Sequence, residues 1–519
     1  MSDVTVRDAV FRLLREFGLT TIFGNPGSTE LPMFKGFPDD FQYVLALQES
    51  VALGMADGFA QATRGAAVVN LHSAVGTGHA LGNLFTAWRN RSPVVVIAGQ
   101  QARSILPYQP FLYAEQAAEF PKPYVKYSVE PARAEDVPAA IARAYYTAMQ
   151  PPRGPVFVSV PIDDWDRPCE PLAARQVSRT LRGDPAMLAD LAEALAKAKN
   201  PAIVAGPEAA RDNAWDETVA LAEAHQAPVW VSPMSSRNSF PEDHPLFAGF
   251  LVAGREPIVR ALTGHDLILV LGAAVFTYHT EGFGPHLPEG AALWQLIDDP
   301  NLAACAPVGT AIVGDIRDAL ATVLSTPAPE RPAPGPFRRA AAPSDAPLTD
   351  AYLLSRLAAL RGPESIVVEE APSSRGPMHD HLPILRPDTF YTCASGGLGH
   401  GLPAAIGVAL GRPGEKVIAL IGDGSAMYAV QGLWTAAQLG LPISFIIVNN
   451  GRYEALLSFC RHFGMNNVVG TELPGIDFVG LAQAQGIKGV RVESAETLDA
   501  ALSASLAATG PSLVEVVVA

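Results

Sequence analysis

The hydrophobic positions of the chain fall into short β-branched runs separated by longer stretches rich in alanine and leucine. The runs in the first third are TTIFG, YVLALQE, AAVVNLH, PVVVIAG and PVFVSVP; those in the middle are PAIVAG, APVWVS, LILVLGA, LWQLID and TAIVGD; those in the last third are SIVVEE, KVIALIGDG, PISFIIVNN and LVEVVVA. Continuous apolar strands with helices between them indicate parallel sheets that are covered on both faces. We therefore predict an α/β fold of three doubly wound parallel-sheet domains.

Two polar stretches divide these segments. Thr326 to Pro347 contains seven prolines and no hydrophobic period, as an extended linker does. A weaker boundary lies near Asp166–Pro185, where polar residues follow the run PVFVSVP. The division predicts domains at 1–175, 183–325 and 348–519, with a linker at 326–347. Because such sheets bind ligands at the carboxyl ends of their strands, the residues that follow each run are candidate site residues.

Composition narrows the class of protein. Of 519 residues, 49% are hydrophobic and 17% charged, and the formal net charge is −15. An acidic chain is not expected to bind nucleic acid or an anionic membrane. We find no basic start followed by an apolar segment and no apolar run of 18 residues, so we expect neither a signal peptide nor a membrane span. Four scattered cysteines without zinc spacing favour a cytoplasmic protein.

An acidic residue stands where a phosphate-binding turn is expected. The run ending in Gly422-Asp423-Gly424-Ser425 leads into a helical stretch, and glycine turns at helix N-termini bind phosphate through backbone amides. A carboxylate there would repel phosphate unless a cation lay between them. After 24 further residues, one crossover helix and a strand, the chain reaches Asn449-Asn450. Asp423 and Asn450 should thus meet at one sheet edge as oxygen ligands for Mg²⁺, although each alone is equally typical of an ordinary turn.

Gly-Asp-Gly followed at this interval by Asn-Asn resembles the signature of thiamine-diphosphate enzymes. The resemblance spans the whole chain in the order pyrimidine, central and diphosphate domain, and is strongest to the 2-oxo acid decarboxylases that act on benzoylformate. It is carried by FGNPGSTELP, LALQES, NLHSAVGTGHA, SPVVVIAGQQ, DDWDRP, GAAVFTYH, GGLGHGLPAAIG and LWTAAQ. It implies non-oxidative decarboxylation of an aromatic 2-oxo acid to an aldehyde and CO₂, with thiamine diphosphate and Mg²⁺ as cofactors.

The resemblance assigns roles to particular residues. In the first domain, Glu49 would hydrogen-bond the aminopyrimidine ring, Ser28 would bind the substrate carboxylate and His72 would handle protons as the substrate reacts. From the residues alone, Glu49 is equally a first-turn acid and Ser28 a helix N-cap. His279 of the central domain would supply the proton for product release.

In the third domain, the resemblance makes the Asp423 carboxylate, the Asn450 side chain and the Arg452 main-chain oxygen the metal ligands. The remaining cofactor contacts that it implies are the Gly396 carbonyl, Leu398 as an apolar wedge, and Ser373, Gly424 and Ser425. It further implies a homodimer whose sites combine the first domain of one subunit with the third domain of the other, paired again into a homotetramer.

Several features leave the substrate open. Thr392 takes the place of a phenylalanine and Pro372 that of a threonine in the family's pocket, whereas Ala455, Leu456 and Phe459 match it. The roles of the charged side chains of Arg452 and Glu454 are not assigned. A thiamine carboligase of the acetohydroxyacid-synthase type is the alternative function, and a non-catalytic flavin in the central domain also stays open.

Overall fold

The fold was analysed in a computed structural model, which describes residues 4–335, 337, 340–465 and 468–519. Its strands form three six-stranded sheets, and every pair of neighbouring strands in them is parallel. The predicted fold class is therefore confirmed. No helix in the described part of the chain combines the length and apolar character that crossing a membrane requires.

The first sheet has the order β2-β1-β3-β4-β6-β5. Its elements are α1 (Val6–Glu16), β1 (Thr21–Gly24), β2 (Gln42–Leu45), α2 (Glu49–Thr63), β3 (Ala67–Leu71), α3 (Ser73–Asn90), β4 (Val94–Gln100), β5 (Ser128–Val129), α4 (Val137–Met149) and β6 (Val156–Pro161), with short 3₁₀ helices at Leu31–Phe34, Leu106–Tyr108 and Ala134–Asp136.

The central sheet has the order β12-β11-β10-β7-β8-β9. Its elements are α5 (Pro185–Lys197), β7 (Pro201–Ala205), α6 (Pro207–Arg211), α7 (Trp215–His225), β8 (Val229–Val231), β9 (Phe247–Phe250), α8 (Arg255–Ala261), β10 (Leu267–Leu271), β11 (Ala292–Ile297), α9 (Pro300–Ala304), β12 (Thr310–Val313) and α10 (Ile316–Val323).

The third sheet, β14-β13-β15-β16-β18-β17, repeats the strand order of the first. Its elements are α11 (Asp350–Leu360), β13 (Ile366–Glu370), a 3₁₀ helix (Pro372–Ser374), α12 (Arg375–His381), β14 (Phe390–Thr392), α13 (Gly401–Gly411), β15 (Val417–Gly422), α14 (Asp423–Met427), α15 (Gly432–Leu439), β16 (Ile443–Asn449), α16 (Glu454–His462), α17 (Phe478–Ala484), β17 (Lys488–Val492), α18 (Ala495–Ala507) and β18 (Ser512–Val517).

Four strands were absent from the sequence prediction. They are β5, β9, β14 and β17, and each of them lies at the edge of its sheet. An edge strand has a neighbour on one side only and need not be a continuous apolar run; β17, for example, has mostly exposed residues. Residues 336, 338 and 339 of the predicted linker lie outside the described residues, and its described part has neither helix nor strand. The exact domain limits stay predictions.

Helices α2 and α13 join the first and third sheets through a very close crossing. A Cβ atom added to Gly58 would lie 2.2 Å from the Ala404 carbonyl oxygen, and one added to Gly407 would lie 1.8 Å from that of Met55. Both helices are almost completely buried, and they belong to one apolar core that spans both domains. This crossing ties the helix that starts at Glu49 to the helix that follows Gly396 and Leu398.

Candidate active site

Asp423 and Asn450 lie side by side at the carboxyl edge of the third sheet. β15 pairs with β16, and Asp423 opens α14 directly after β15 rather than ending the strand. The Gly451 amide donates to Asp423 Oδ2 at 2.8 Å, and the Arg452 amide donates to Asn450 Oδ1 at 3.1 Å. The turn at 450–452 therefore curls around the Asp423 carboxylate and brings the main chain of Arg452 beside it.

The donor set around Asp423 fits a hard divalent cation. Asp423 is 5% exposed and accepts hydrogen bonds only from backbone amides, and no Lys, Arg or His pairs with it in the described part of the chain. Burial raises the pKa of this carboxyl, although the amides of Gly424 and Gly451 oppose the rise. Among the described residues, no group of three or more His, Cys, Asp or Glu side chains is placed to hold a metal ion. One carboxylate, one amide oxygen and one carbonyl suit Mg²⁺, which completes its shell with phosphate and water.

The remaining diphosphate candidates lie at the same edge. Gly424 packs against a tyrosine ring, since an added Cβ would lie 2.2 Å from Tyr453 Cε1, and Ser425 is buried one residue later. Ser373 is exposed in the 3₁₀ helix that follows β13. Because β13 pairs with β15 where the strand order reverses, Ser373 and Asp423 flank the point at which doubly wound sheets bind ligands.

The loop with Gly396 and Leu398 is fixed by a buried carboxylate that the sequence analysis missed. Gly396 has φ +72°, which favours glycine, and Leu398 is half-buried. The amides of Gly399 and His400 donate to the two oxygens of Glu370 at 2.6 and 2.7 Å. Glu370 is 2% exposed, and burial raises its pKa despite these bonds. Glu370 ends the predicted run SIVVEE, so its position at a strand end was the available signal.

Glu49 is the first residue of α2 and is 7% exposed. Its Oε2 atom lies 3.0 Å from Nδ1 of His79, a residue of α3 that the sequence analysis did not select. Gln48 is the N-cap of this helix, and its side chain accepts from the Val51 amide. Because Gln48 caps the helix, the Glu49 carboxylate is not needed as the cap, and it bonds to His79 instead.

His72 caps α3 immediately after β3 and is oriented by Glu30, an acid that the sequence analysis did not select. Its Nδ1 lies 2.9 Å from Glu30 Oε2 and 3.1 Å from Thr29 Oγ1. Glu30 is 2% exposed. A carboxylate bonded to one imidazole nitrogen fixes the ring and leaves the other nitrogen for proton transfer. Ser28, nearby, is exposed; it is not an N-cap, because Glu30 holds that position in the 3₁₀ helix Leu31–Phe34.

His279 lies on the loop after β10 and meets the third domain. Its ring centroid is 4.7 Å from that of Phe459 in α16, with the planes at 69°. His279 is exposed, and its amide donates to the Ala253 carbonyl at 2.9 Å. An imidazole of the central domain and an aromatic ring of the third domain therefore lie against each other.

Pro372 and Thr392, the two pocket positions at which the sequence departs from the resemblance, differ in their exposure to solvent. Pro372 is exposed at the start of its 3₁₀ helix. Thr392 is only 1% exposed, and its hydroxyl donates to Glu369 Oε2 at 2.7 Å and accepts from Arg375 Nη2 at 2.7 Å. A small polar residue thus bonds both members of the Arg375–Glu369 ion pair, at the position where the resemblance implies an aromatic ring.

The charged pair in the 450–454 loop is local. Arg452 Nε lies 2.8 Å from Glu454 Oε2, and Arg461 Nη2 lies 2.6 Å from Glu454 Oε1. Each Arg side chain is more than 40% exposed. Glu454 thus forms ion pairs with both guanidinium groups at the protein surface.

The predicted site residues form two groups within one chain. Ser28, Glu49 and His72 are in the first domain, whereas Asp423, Asn450, Leu398 and Phe459 are in the third, with His279 beside Phe459. Within the ranges described, no hydrogen bond or ion pair connects the carboxylate of Glu49 or the ring of His72 to the residues around Asp423.

The central sheet has a narrow cleft at its own carboxyl edge. The cleft encloses about 80 Å³ and is lined by residues including Arg91, Glu208, Arg211 and Gly272. Pockets for cofactor-sized ligands occupy roughly 300–1,000 Å³. This cleft lies below that range, and an ion pair between Arg211 Nη2 and Glu208 Oε1 at 3.0 Å lines it.

Comparison with known proteins defines the class. Models of the thiamine pyrophosphate enzyme N-terminal binding domain, central domain and C-terminal binding domain match residues 4–118, 188–323 and 373–516. The chain therefore belongs to the thiamine pyrophosphate enzyme family.

The similarity extends over whole chains. The benzoylformate decarboxylase of Pseudomonas aeruginosa is 45% identical over 99% of this chain and 98% of its own. The crystal structure of benzoylformate decarboxylase from Polynucleobacter necessarius has a TM-score of 0.97 and 41% identity, covering 99% of this chain and 98% of that one. The thiamine-diphosphate-dependent 4-hydroxybenzoylformate decarboxylase of Rhodococcus jostii RHA1 has a TM-score of 0.97 and 43% identity over 99% of both chains. The chain is thus an enzyme of the carboxy-lyase class.

Proposed function

We propose that this enzyme catalyses the thiamine-diphosphate- and Mg²⁺-dependent decarboxylation of an aromatic 2-oxo acid to an aldehyde and CO₂. The observation that carries the proposal is the edge-on contact between His279 and Phe459 at 4.7 Å. It joins a group able to protonate a product to a wall suited to an aryl ring. Benzoylformate and its 4-hydroxy form, named for two of the relatives, supply the substrate class.

The proposal gives each group of residues one task. Asp423, Asn450 and the Arg452 carbonyl would hold Mg²⁺, and Gly424, Ser425 and Ser373 would hold the diphosphate. Gly396 and Leu398 contact the organic part of the cofactor. Bound thiamine diphosphate supplies an electron sink for the charge left when CO₂ departs.

The side chains proposed to move protons are Glu49 and His72 of the first domain and His279 of the central domain. Glu49 holds a proton at the aminopyrimidine nitrogen, and its burial supports this role. Ser28 binds the substrate carboxylate. His72 is oriented by Glu30, and His279 lies beside the ring of Phe459. The two histidines serve two separate proton transfers.

The separation of the two groups of site residues within one chain supports a dimer in which two subunits share each site. Apolar side chains are exposed beside both: Leu47 at 47% and Val75 at 53% in the first domain, and Tyr428 at 59% and Leu456 at 50% in the third. Exposed apolar surface around a half-site indicates a protein interface. We propose a homodimer with shared sites, paired into a homotetramer in the cytoplasm, where the four free cysteines fit a reducing environment.

A substrate panel tests the activity. Benzoylformate, 4-hydroxybenzoylformate, phenylpyruvate, branched 2-oxo acids and pyruvate would each be supplied with thiamine diphosphate and Mg²⁺, and CO₂ and aldehyde would be measured. We expect the two aryl acids to be turned over at least about ten-fold faster than pyruvate, because an apolar wall favours an aryl ring. Formation of acetolactate from pyruvate alone as the main reaction would instead support the carboligase alternative.

A further inference from the structure

One face of α3 runs along the first turn of α2. His72, Gly76, His79 and Asn83 lie at helical spacings of three or four residues and so share this face. Asn83 Nδ2 donates to the Ser50 carbonyl at 2.8 Å and lies 3.0 Å from the Ser50 hydroxyl. The first turn of α2 is thereby held against α3 next to Glu49.

The same face encloses the carboxylate of Glu49. An added Cβ at Gly76 would lie 3.1 Å from Glu49 Oε1, tighter than an ordinary contact, so the carboxylate lies over the one position of the face that has no side chain. His79 Nδ1 reaches the other oxygen, Oε2, at 3.0 Å. Because a carboxylate only accepts, the imidazole donates from Nδ1. The two oxygens thus differ: Oε2 is bound by His79, and Oε1, above Gly76, has no hydrogen-bond partner among the described residues.

We propose that His79 is a positioning residue for Glu49, holding Oε2 so that Oε1 is presented to the aminopyrimidine nitrogen of the cofactor. The inference rests on the proposed role of Glu49. The Glu49 side chain is 10% exposed, whereas the His79 side chain is 56% exposed. A hydrogen bond between a buried acid and a half-exposed histidine contributes little to the packing of the core. Its loss should therefore change the position of the Glu49 carboxylate.

The test uses the intact enzyme with saturating thiamine diphosphate and Mg²⁺ and no substrate. The rate of hydrogen–deuterium exchange at the thiazolium C2 atom is measured by acid quench and NMR, and the cofactor dissociation constant is measured by titration calorimetry. His79→Leu and His79→Ala remove the donor, and His79→Asn keeps a neutral donor of similar reach. His265→Asn, in the loop before β10, is the matched control, because this histidine bonds only the Asn200 carbonyl.

Loss of a hydrogen bond to a charged group should slow exchange by about ten-fold or more in His79→Leu and His79→Ala. His79→Asn and His265→Asn should stay within about three-fold of the unmodified enzyme. Saturating cofactor prevents a weaker affinity from imitating slower exchange. Unchanged exchange in the Leu and Ala variants, or an equal loss in the Asn variant, overturns the inference. If Glu49→Gln itself exchanges at the unmodified rate, the proposed role of Glu49 fails, and this failure is seen separately.

Discussion

At the scale of single residues, the site depends on carboxylates whose environments differ. Asp423 is buried among amides without a cation, Glu30 is bonded to His72, and Glu49 is bonded to His79. A buried carboxylate that accepts only from backbone amides keeps its full negative charge, whereas an imidazole beside a carboxylate can carry a proton to and from a reacting group. This difference explains why the first suits a metal ligand and the others suit proton transfer.

Asp423→Ala should weaken binding of thiamine diphosphate in the presence of Mg²⁺ by about 100-fold or more, because the only carboxylate of the metal site is removed. Titration calorimetry with and without Mg²⁺ measures the change. Asp40→Ala, which removes an exposed acid paired with Arg15, is the control and should leave affinity unchanged. An Asp423→Ala affinity equal to that of the control would exclude the metal site.

His72→Ala and His279→Ala should each lower turnover by roughly 10²–10⁴-fold, the usual contribution of a positioned acid or base. They should fail at different steps, because His72 is fixed by Glu30 in the first domain and His279 lies beside Phe459. Rapid acid quench should show reaction stopped before CO₂ loss in the first variant and after it in the second. The same distribution of bound species in both variants would contradict two separate roles.

At the scale of elements, the decisive contact is the crossing of α2 and α13. Glycines at the crossing let the two backbones approach to a distance that any side chain would prevent. The N-terminus of α2 carries Glu49, and α13 continues the loop of Gly396 and Leu398. The positions of these two elements of the proposed site are therefore coupled through backbone contact.

Gly407→Ala should destabilise the protein by about 1–3 kcal/mol or more, since the new methyl group would overlap the Met55 carbonyl oxygen and force the helices apart. Denaturant unfolding measures the loss. Gly376→Ala in α12 is the matched control: no atom lies within 4 Å of the added Cβ, and alanine should be neutral or slightly stabilising there. Equal stability of the two variants would show that the crossing relaxes freely.

At the scale of the whole molecule, one chain holds the two groups of site residues in separate domains, with exposed apolar surface beside each. A twofold axis would place the first group of one subunit against the second group of the other and form two sites at once. Cofactor binding would then stabilise the dimer by mass action.

Mixing inactive Glu49→Gln with inactive Asp423→Ala should restore part of the activity when subunits exchange. A heterodimer with shared sites contains one doubly altered site and one unaltered site, so about a quarter of the sites are regained in a random mixture. Mass spectrometry confirms the exchange. Exchange without any recovery of activity would place each site within a single chain.

Much of this architecture could be predicted from the sequence. The interior strands of all three sheets are mostly apolar runs, because a strand that is buried on both faces has no side that faces water. The spacing between Gly424 and Asn449 placed Asp423 and Asn450 at neighbouring strand ends, since a parallel crossover has a narrow range of lengths. These features are local in the chain or fixed by connection length. The roles assigned to the individual site residues stay predictions.

What only the tertiary structure decided are the partners that lie far apart in sequence. The four missed edge strands have weak hydrophobic patterns, because a strand that pairs on one side only need not be apolar along its whole length. Glu30 is 42 residues from His72, Glu49 is 30 residues from His79, and Glu370 is 29 residues from Gly399. No periodicity links such pairs, since their contact arises only when separate elements pack. The sequence by itself thus determined which residues stand at the strand ends, and the packing of helices α2, α3 and α13 decided which groups those residues meet.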